Sequence, residues 1–230
     1  MQAPESYVAW INAHLGFNPR SQANSNALSD FVIADLRAAC PSLAAHIGSE
    51  RIVPSKNADV RTRIAVRNVD LVLAEKGFGP GAVRAAVENK TIMAAHGKAR
   101  KNRYGDLIAY CNHVHNHRED CIAGAIVVVN CSPAYENPDA FAKGLKRPKF
   151  KMEKVVQDTL KIFTGIPLRS SSREPNDQPE AIAVIVVDYD GAKPAKLVTG
   201  ELAPQAGSPN HYQNFLQRMC ELYTRRFGDK

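Results

Sequence analysis

Apolar residues recur along this chain with two periods, and the periods lay out most of its elements. Leu28, Phe31, Val32, Leu36, Ala39 and Leu43 fall three or four apart, which predicts one helix over about residues 26–47. Tyr7, Trp10, Ile11 and Leu15 predict a short helix at 4–15, and Tyr104, Leu107, Ile108, Cys111 and Val114 a longer one at 97–115. Val155, Val156, Leu160 and Phe163 mark a helix at 152–164, and Phe215, Leu216, Met219 and Leu222 a closing helix at 210–227. By contrast, residues 122–129 and 182–187 are apolar at nearly every position, as expected of strands buried on both faces. Residues 50–57 and 61–66 give one or two further strands, and 196–199 is a candidate for a last one. This order predicts an α/β fold, a central mixed β-sheet flanked by α-helices.

One stretch joins this pattern to chemistry. Val69-Asp70-Leu71-Val72-Leu73-Ala74 and Val83-Arg84-Ala85-Ala86-Val87-Glu88-Asn89-Lys90 flank a glycine-rich turn and read as a β-hairpin. Folded about Gly79, the hairpin sets Asp70 opposite Glu88, Val72 opposite Ala86 and Ala74 opposite Arg84 on a charged face, with Val69, Leu71, Leu73, Ala85 and Val87 on an apolar one. Opposed residues have β-carbons about 4.5–5.5 Å apart, so two carboxylates there repel unless a cation lies between them. Lys90 follows on the same face, roughly 6.6 Å along the strand, within reach of a water on such a cation. Hard oxygen ligands of this kind suit magnesium and phosphodiester chemistry.

Asp70 followed by Glu88-Asn89-Lys90 resembles the PD-(D/E)XK nuclease superfamily, the restriction-endonuclease-like group that includes many type II restriction endonucleases. Val69 stands where that pattern usually has proline. The resemblance implies a restriction-endonuclease-like core and a Mg2+-dependent DNA endonuclease, with Mn2+ able to substitute. It implies Asp70, Glu88 and the backbone carbonyl of Asn89 as metal ligands and Lys90 as the residue that positions or activates water. It further implies double-stranded DNA as substrate and a homodimer, since two strands need two sites. A restriction or other anti-phage role, a repair or junction-resolving role, and a non-catalytic nucleic-acid binder on the same fold all remain open on the residues alone.

Other residues gather around this proposal. Asp35 lies inside the apolar stripe of its helix; the resembled family often brings an acid from the first helix toward the metal, which makes Asp35 a candidate for a supporting role beside the usual alternative of a helix-edge acid reaching water or an arginine. The helix at 97–115 opens with Lys98, Arg100, Lys101 and Arg103 and has no acid before Asp106, an arrangement suited to phosphate, and His96 just before it is a further phosphate candidate. Lys146, Arg147 and Lys149 stand on a proline-bearing loop from 132 to 151 without an intervening acid, suited to a sugar-phosphate backbone. His113, His115 and His117 are two apart, a spacing that spoils joint chelation on a helix.

Composition narrows the partner. The net charge of +7 and pI near 9.2 favour a polyanion, without deciding between nucleic acid and membrane surface. At 230 residues, 44% hydrophobic and 23% charged, the chain suits one nuclease-like domain over 1–230, with the helix at 4–15 a possible appendage. Five scattered cysteines without a Cys-x-x-Cys pair indicate neither a disulfide framework nor a zinc knuckle. With no basic region leading into an apolar run, a cytoplasmic location is expected.

Overall fold

The computed structural model describes residues 1–77, 79, 81–94, 96–133, 135 and 152–228. Three helices come first, α1 (Ala3–Ala13), α2 (Gln22–Ala39) and α3 (Pro41–Gly48). Strands β1 (Ile52–Arg61), β2 (Val66–Glu75) and β3 (Val83–Ile92) follow, then α4 (His96–His117) and β4 (Ile122–Asn130). The described chain closes with α5 (Met152–Thr164), β5 (Ala181–Asp188), β6 (Lys196–Val198) and α6 (Tyr212–Phe227). The helix expected over 26–47 is therefore two helices. Pro41 has no amide hydrogen to continue α2, so it starts α3 instead, at a position where that hydrogen would go unused.

All six strands form one sheet in sequence order. β1, β2 and β3 run antiparallel, β3 to β5 run parallel, and β6 returns antiparallel. The mixed sheet flanked by helices agrees with the sequence reading at that level. One core packs α1, α2, α3 and α6 against one face through residues such as Tyr7, Leu28, Val32, Leu43 and Phe215; the other packs α4 and α5 through Leu107, Tyr110, Val114, Val156 and Phe163. Every residue of β4 is buried, as a two-sided parallel strand requires. At Gly124 a β-carbon would come within 3.0 Å of Met219 Sδ and 3.1 Å of Phe215 Cε2, so glycine lets α6 sit directly on β4.

The hairpin departs from its expected simplicity in two ways. A register shift between Leu73 and Ala74 pairs Ala74 with Val83 rather than Arg84, although Val72 does face Ala86. Its two sides are also not divided into apolar and charged, because helices cover both. Leu71, Leu73, Ala85 and Val87 enter the α2 side, while Val69, Val72, Ala74 and Ala86 enter the α4 side.

Val69 and Leu71 lie on different sides because the strand bends between them. The β1–β2 ladder runs Lys56↔Leu71 and Ala58↔Val69 but omits Asn57 and Asp70. Asn57 has φ of 49°, the left-handed region that asparagine tolerates better than most residues. Its side-chain amide bonds Asn26, and its carbonyl accepts from Asn68 Nδ2 at 2.7 Å. The paired part of β2 with β3 ends at Leu71↔Val87, immediately before Asp70 and Glu88.

Candidate functional site

Asp70 and Glu88 stand at the point where β2 leaves β3, and each carboxylate has its own neighbours. Asp70 Oδ2 accepts the backbone N–H of Asn89 at 2.8 Å, and Oδ1 accepts the hydroxyl of Ser25 on α2 at 2.6 Å. Its carboxylate thus rests against the peptide joining Glu88 to Asn89, turned to the α2 side. Glu88 Oε1 accepts from Lys90 Nζ at 2.6 Å and from Arg67 Nη2 at 3.2 Å, and the same Arg67 nitrogen reaches the Asp106 carbonyl of α4. The expectation that both acids share one face is corrected here. The bend at Asn57 and Asp70 turns one toward α2 while ordinary alternation leaves the other toward α4.

Lys90 belongs to both surroundings. Its ammonium is ion-paired to Glu88, and its side chain helps line an open cleft of about 240 Å³ together with Asp70, Asn89, Ser25, Arg20 and Arg103. A second cleft of about 270 Å³ shares Arg20, Thr91 and Arg103 with it and adds Lys98, Asn102 and Tyr135. Arg20 and Arg103 line both clefts, with Lys90 and the carboxylate of Asp70 on the first and Lys98 on the second.

The α4 cations divide by helical angle. Lys98 and Arg103 face the clefts, whereas Arg100 turns toward α5 and pairs with Asp158 at 3.5 Å, and Lys101 is exposed. Arg103 also pairs with Asp106 at 2.6 Å. Of the four cations expected at phosphate, the structure brings two to the cleft. Lys146, Arg147 and Lys149 lie outside the described residues.

Neither supporting candidate lies where expected. Asp35 Oδ2 accepts from the Ala3 amide at 2.6 Å and the Tyr212 hydroxyl at 2.9 Å, so it joins α2 to α1 and α6. It sits about 15 Å along α2 from Ser25, the residue that touches Asp70. His96 is buried and bonds the Asn130 carbonyl through Nε2 at 2.6 Å; burial lowers its pKa, the Asn130 bond raises it in part, and Arg100 lowers it further. The histidine series separates as well. His113 and His117 bond the Val60 and Arg61 carbonyls at 2.7 and 2.6 Å, whereas His115 reaches Glu180.

The sequence reading passed over Ser25, Ser29, Arg20 and Arg67. Ser21, Ser25 and Ser29 are each four apart, a polar stripe along the start of α2 whose period was visible. Ser21 caps the helix through the Asn24 amide, Ser25 holds Asp70, and Ser29 accepts from Asn89 Nδ2 at 2.9 Å. Arg67 carried no such signal, because its role follows from the bend.

Among the described residues no group of three or more His, Cys, Asp or Glu side chains is placed to hold a metal. The donors present are nevertheless of the type a loosely held hard cation takes, one or two carboxylates completed by water and phosphate oxygens. Among the described residues Glu88 Oε2 is buried with no hydrogen-bond partner, and the Lys90 ammonium on Oε1 places positive charge at that carboxylate. A buried carboxylate oxygen left unpaired is costly, and such atoms call for an explanation in a ligand or a function. No protein-family model, curated protein or solved structure matches this chain.

Proposed function

We propose that this chain is a divalent-metal-dependent DNA endonuclease, a type II-like restriction or anti-phage nuclease acting on duplex DNA as a homodimer. The observation that carries the reading is the junction of Asp70, Asn89 and Lys90 on one cleft with Arg20 and Arg103, next to a second cleft lined by Lys98 and beside a Glu88 whose second oxygen has no partner among the described residues. Anionic phosphate is drawn to the cationic wall, and the acids supply the hard donors that such a surface would otherwise exclude.

Asp70 and the Asn89 carbonyl would hold Mg2+ or Mn2+, and Glu88 would complete the set by turning from the α4 side and giving up Arg67 and Lys90; when bound, the ion supplies Lewis acidity at a phosphoryl oxygen and lowers the pKa of water. Ser25 and the Asn89 amide fix the Asp70 carboxylate in one orientation. Lys90, drawn from Glu88 to the incoming phosphate, orients the attacking water and offsets charge in the transition state. Arg20, Lys98 and Arg103 hold neighbouring phosphates in register with the broken bond.

A non-catalytic nucleic-acid binder is the second reading, favoured by the Lys90–Glu88 ion pair, which neutralises the acid without any metal. Incubating the purified protein with plasmid, linear duplex and single-stranded DNA, in magnesium, manganese or chelator, separates the two. The nuclease produces new ends in either metal and none in chelator. Tight binding with intact DNA under all three conditions contradicts it and favours the binder.

A further inference from the structure

The hairpin between β1 and β2 ends in Arg61-Thr62-Arg63-Ile64-Ala65-Val66-Arg67, and its tip is unlike the rest of the surface. Ile64 is 94% exposed and Val66 51% exposed, two of the few large apolar residues left in water. Single exposed apolar side chains are ordinary, but these two stand between arginines with no acid in the segment. Arg61 and Arg63 are exposed and neither forms an ion pair among the described residues.

The tip is braced by hydrogen bonds despite its exposure. Thr62 N donates to the Ala65 carbonyl at 2.9 Å, and Thr62 Oγ1 accepts from the Ala65 amide at 3.1 Å and the Ile64 amide at 3.4 Å. Behind it, His113 and His117 hold the Val60 and Arg61 carbonyls against α4. These bonds lower the entropy cost of ordering the turn that presents Ile64.

We infer that this tip is a second contact for duplex nucleic acid, with Arg61 and Arg63 on phosphates and Ile64 wedged between base pairs. Two unpaired guanidinium groups match a phosphate backbone, and an apolar side chain set between cations is the device by which proteins unstack a base step. The distance suits one duplex. Arg103 at the cleft and His117 at the tip lie on the same helix, about 21 Å apart along its axis. At 3.4 Å per base pair that is about six pairs. The inference rests on the nuclease reading for the identity of the polyanion but not for any chemistry.

The test uses the full chain in chelator, so that nothing is cut, with a 30-base-pair duplex carrying 2-aminopurine at successive positions, the matching single strand, and vesicles of phosphatidylcholine and phosphatidylserine. Wild type should raise 2-aminopurine fluorescence at one step of the duplex, and Ile64→Ala should abolish that rise while keeping the salt dependence of binding. Arg61→Ala with Arg63→Ala should weaken duplex binding and reduce its salt slope by about 2, near 0.9 for each phosphate no longer neutralised. These side chains are exposed, so an unchanged melting temperature certifies the fold of each variant. Unaltered slope and fluorescence in the variants would overturn the tip contact even if wild type cuts DNA in magnesium. Vesicle binding that disappears in Ile64→Ala, with duplex binding intact, would assign the tip to membranes and overturn it as well. Wild type that binds duplex through the tip but never cuts it would leave this inference standing and remove the nuclease.

Discussion

Glu88 and Glu180 are both buried glutamates beside strands, both are held by arginine, and they differ in what is left over. Glu180 is saturated. Its Oε1 accepts from Arg169 at 3.2 Å and Arg226 at 2.9 Å, and its Oε2 from His115 at 3.0 Å and the Ala123 amide at 2.8 Å. His115 bridges Glu180 through Nε2 and the Asn176 carbonyl through Nδ1 at 2.8 Å. Two arginines and a histidine therefore surround one carboxylate and tie α4, α6 and the 165–180 connection to the start of β4. Glu88 has two cations on one oxygen and nothing on the other. The first arrangement satisfies itself and holds the fold; the second leaves one oxygen for the proposed metal.

The sharpest way to break this contrast is to neutralise each acid in turn. Glu180→Gln leaves Arg169 and Arg226 buried without a counter-charge and should cost about 3–5 kcal/mol in urea denaturation. Glu88→Gln should cost less than about 1 kcal/mol, because Arg67 and Lys90 still reach solvent at 26% and 15% side-chain exposure. Equal losses would place both glutamates in the same structural role.

Removing the amine gives the next effect. Lys90→Ala should lower cleavage by about 100-fold or more, while duplex binding measured in chelator stays close to wild type. A fall in binding that accounts for the whole loss of cutting would make Lys90 a phosphate contact and nothing more.

The smallest effect is read in pH. Burial alone would raise the Glu180 pKa, but the His115 hydrogen bond and charge, Arg226 and the Ala123 amide together bring it below the ordinary carboxylate value. A depressed folded pKa contributes stability that is complete above the unfolded value of 4.5 and is lost as pH falls toward the folded one. Melting temperature should therefore drop below about pH 4.5 more steeply in wild type than in Glu180→Gln, and parallel curves would deny Glu180 that contribution.

Much of the architecture was legible because periodicity reports burial directly. The apolar runs at 122–129 and 182–187 became two-sided parallel strands, and the three-four stripes became helices, the one over 26–47 broken in two at Pro41. What escaped was local and conformational. The left-handed turn at Asn57 carries no strong signal in a single sequence, yet it skips the pairing of Asp70 and turns that side chain toward Ser25. Opposition across a hairpin could be counted from residue numbers, but facing could not. Likewise the charge run from Lys98 to Arg103 was visible as a run, while helical angle and the presence of Asp158 decided which of its members reach the cleft.

Manganese binding followed by the electron paramagnetic resonance of the free ion tests the central claim most directly, since it needs neither substrate nor cleavage. Wild type should take up the ion at one site, and Glu88→Gln and Asp70→Asn should each weaken that uptake at least about tenfold, roughly one charged ligand's worth. Uptake that is absent in wild type, or unchanged in both variants, would contradict a metal site at residues 70 and 88.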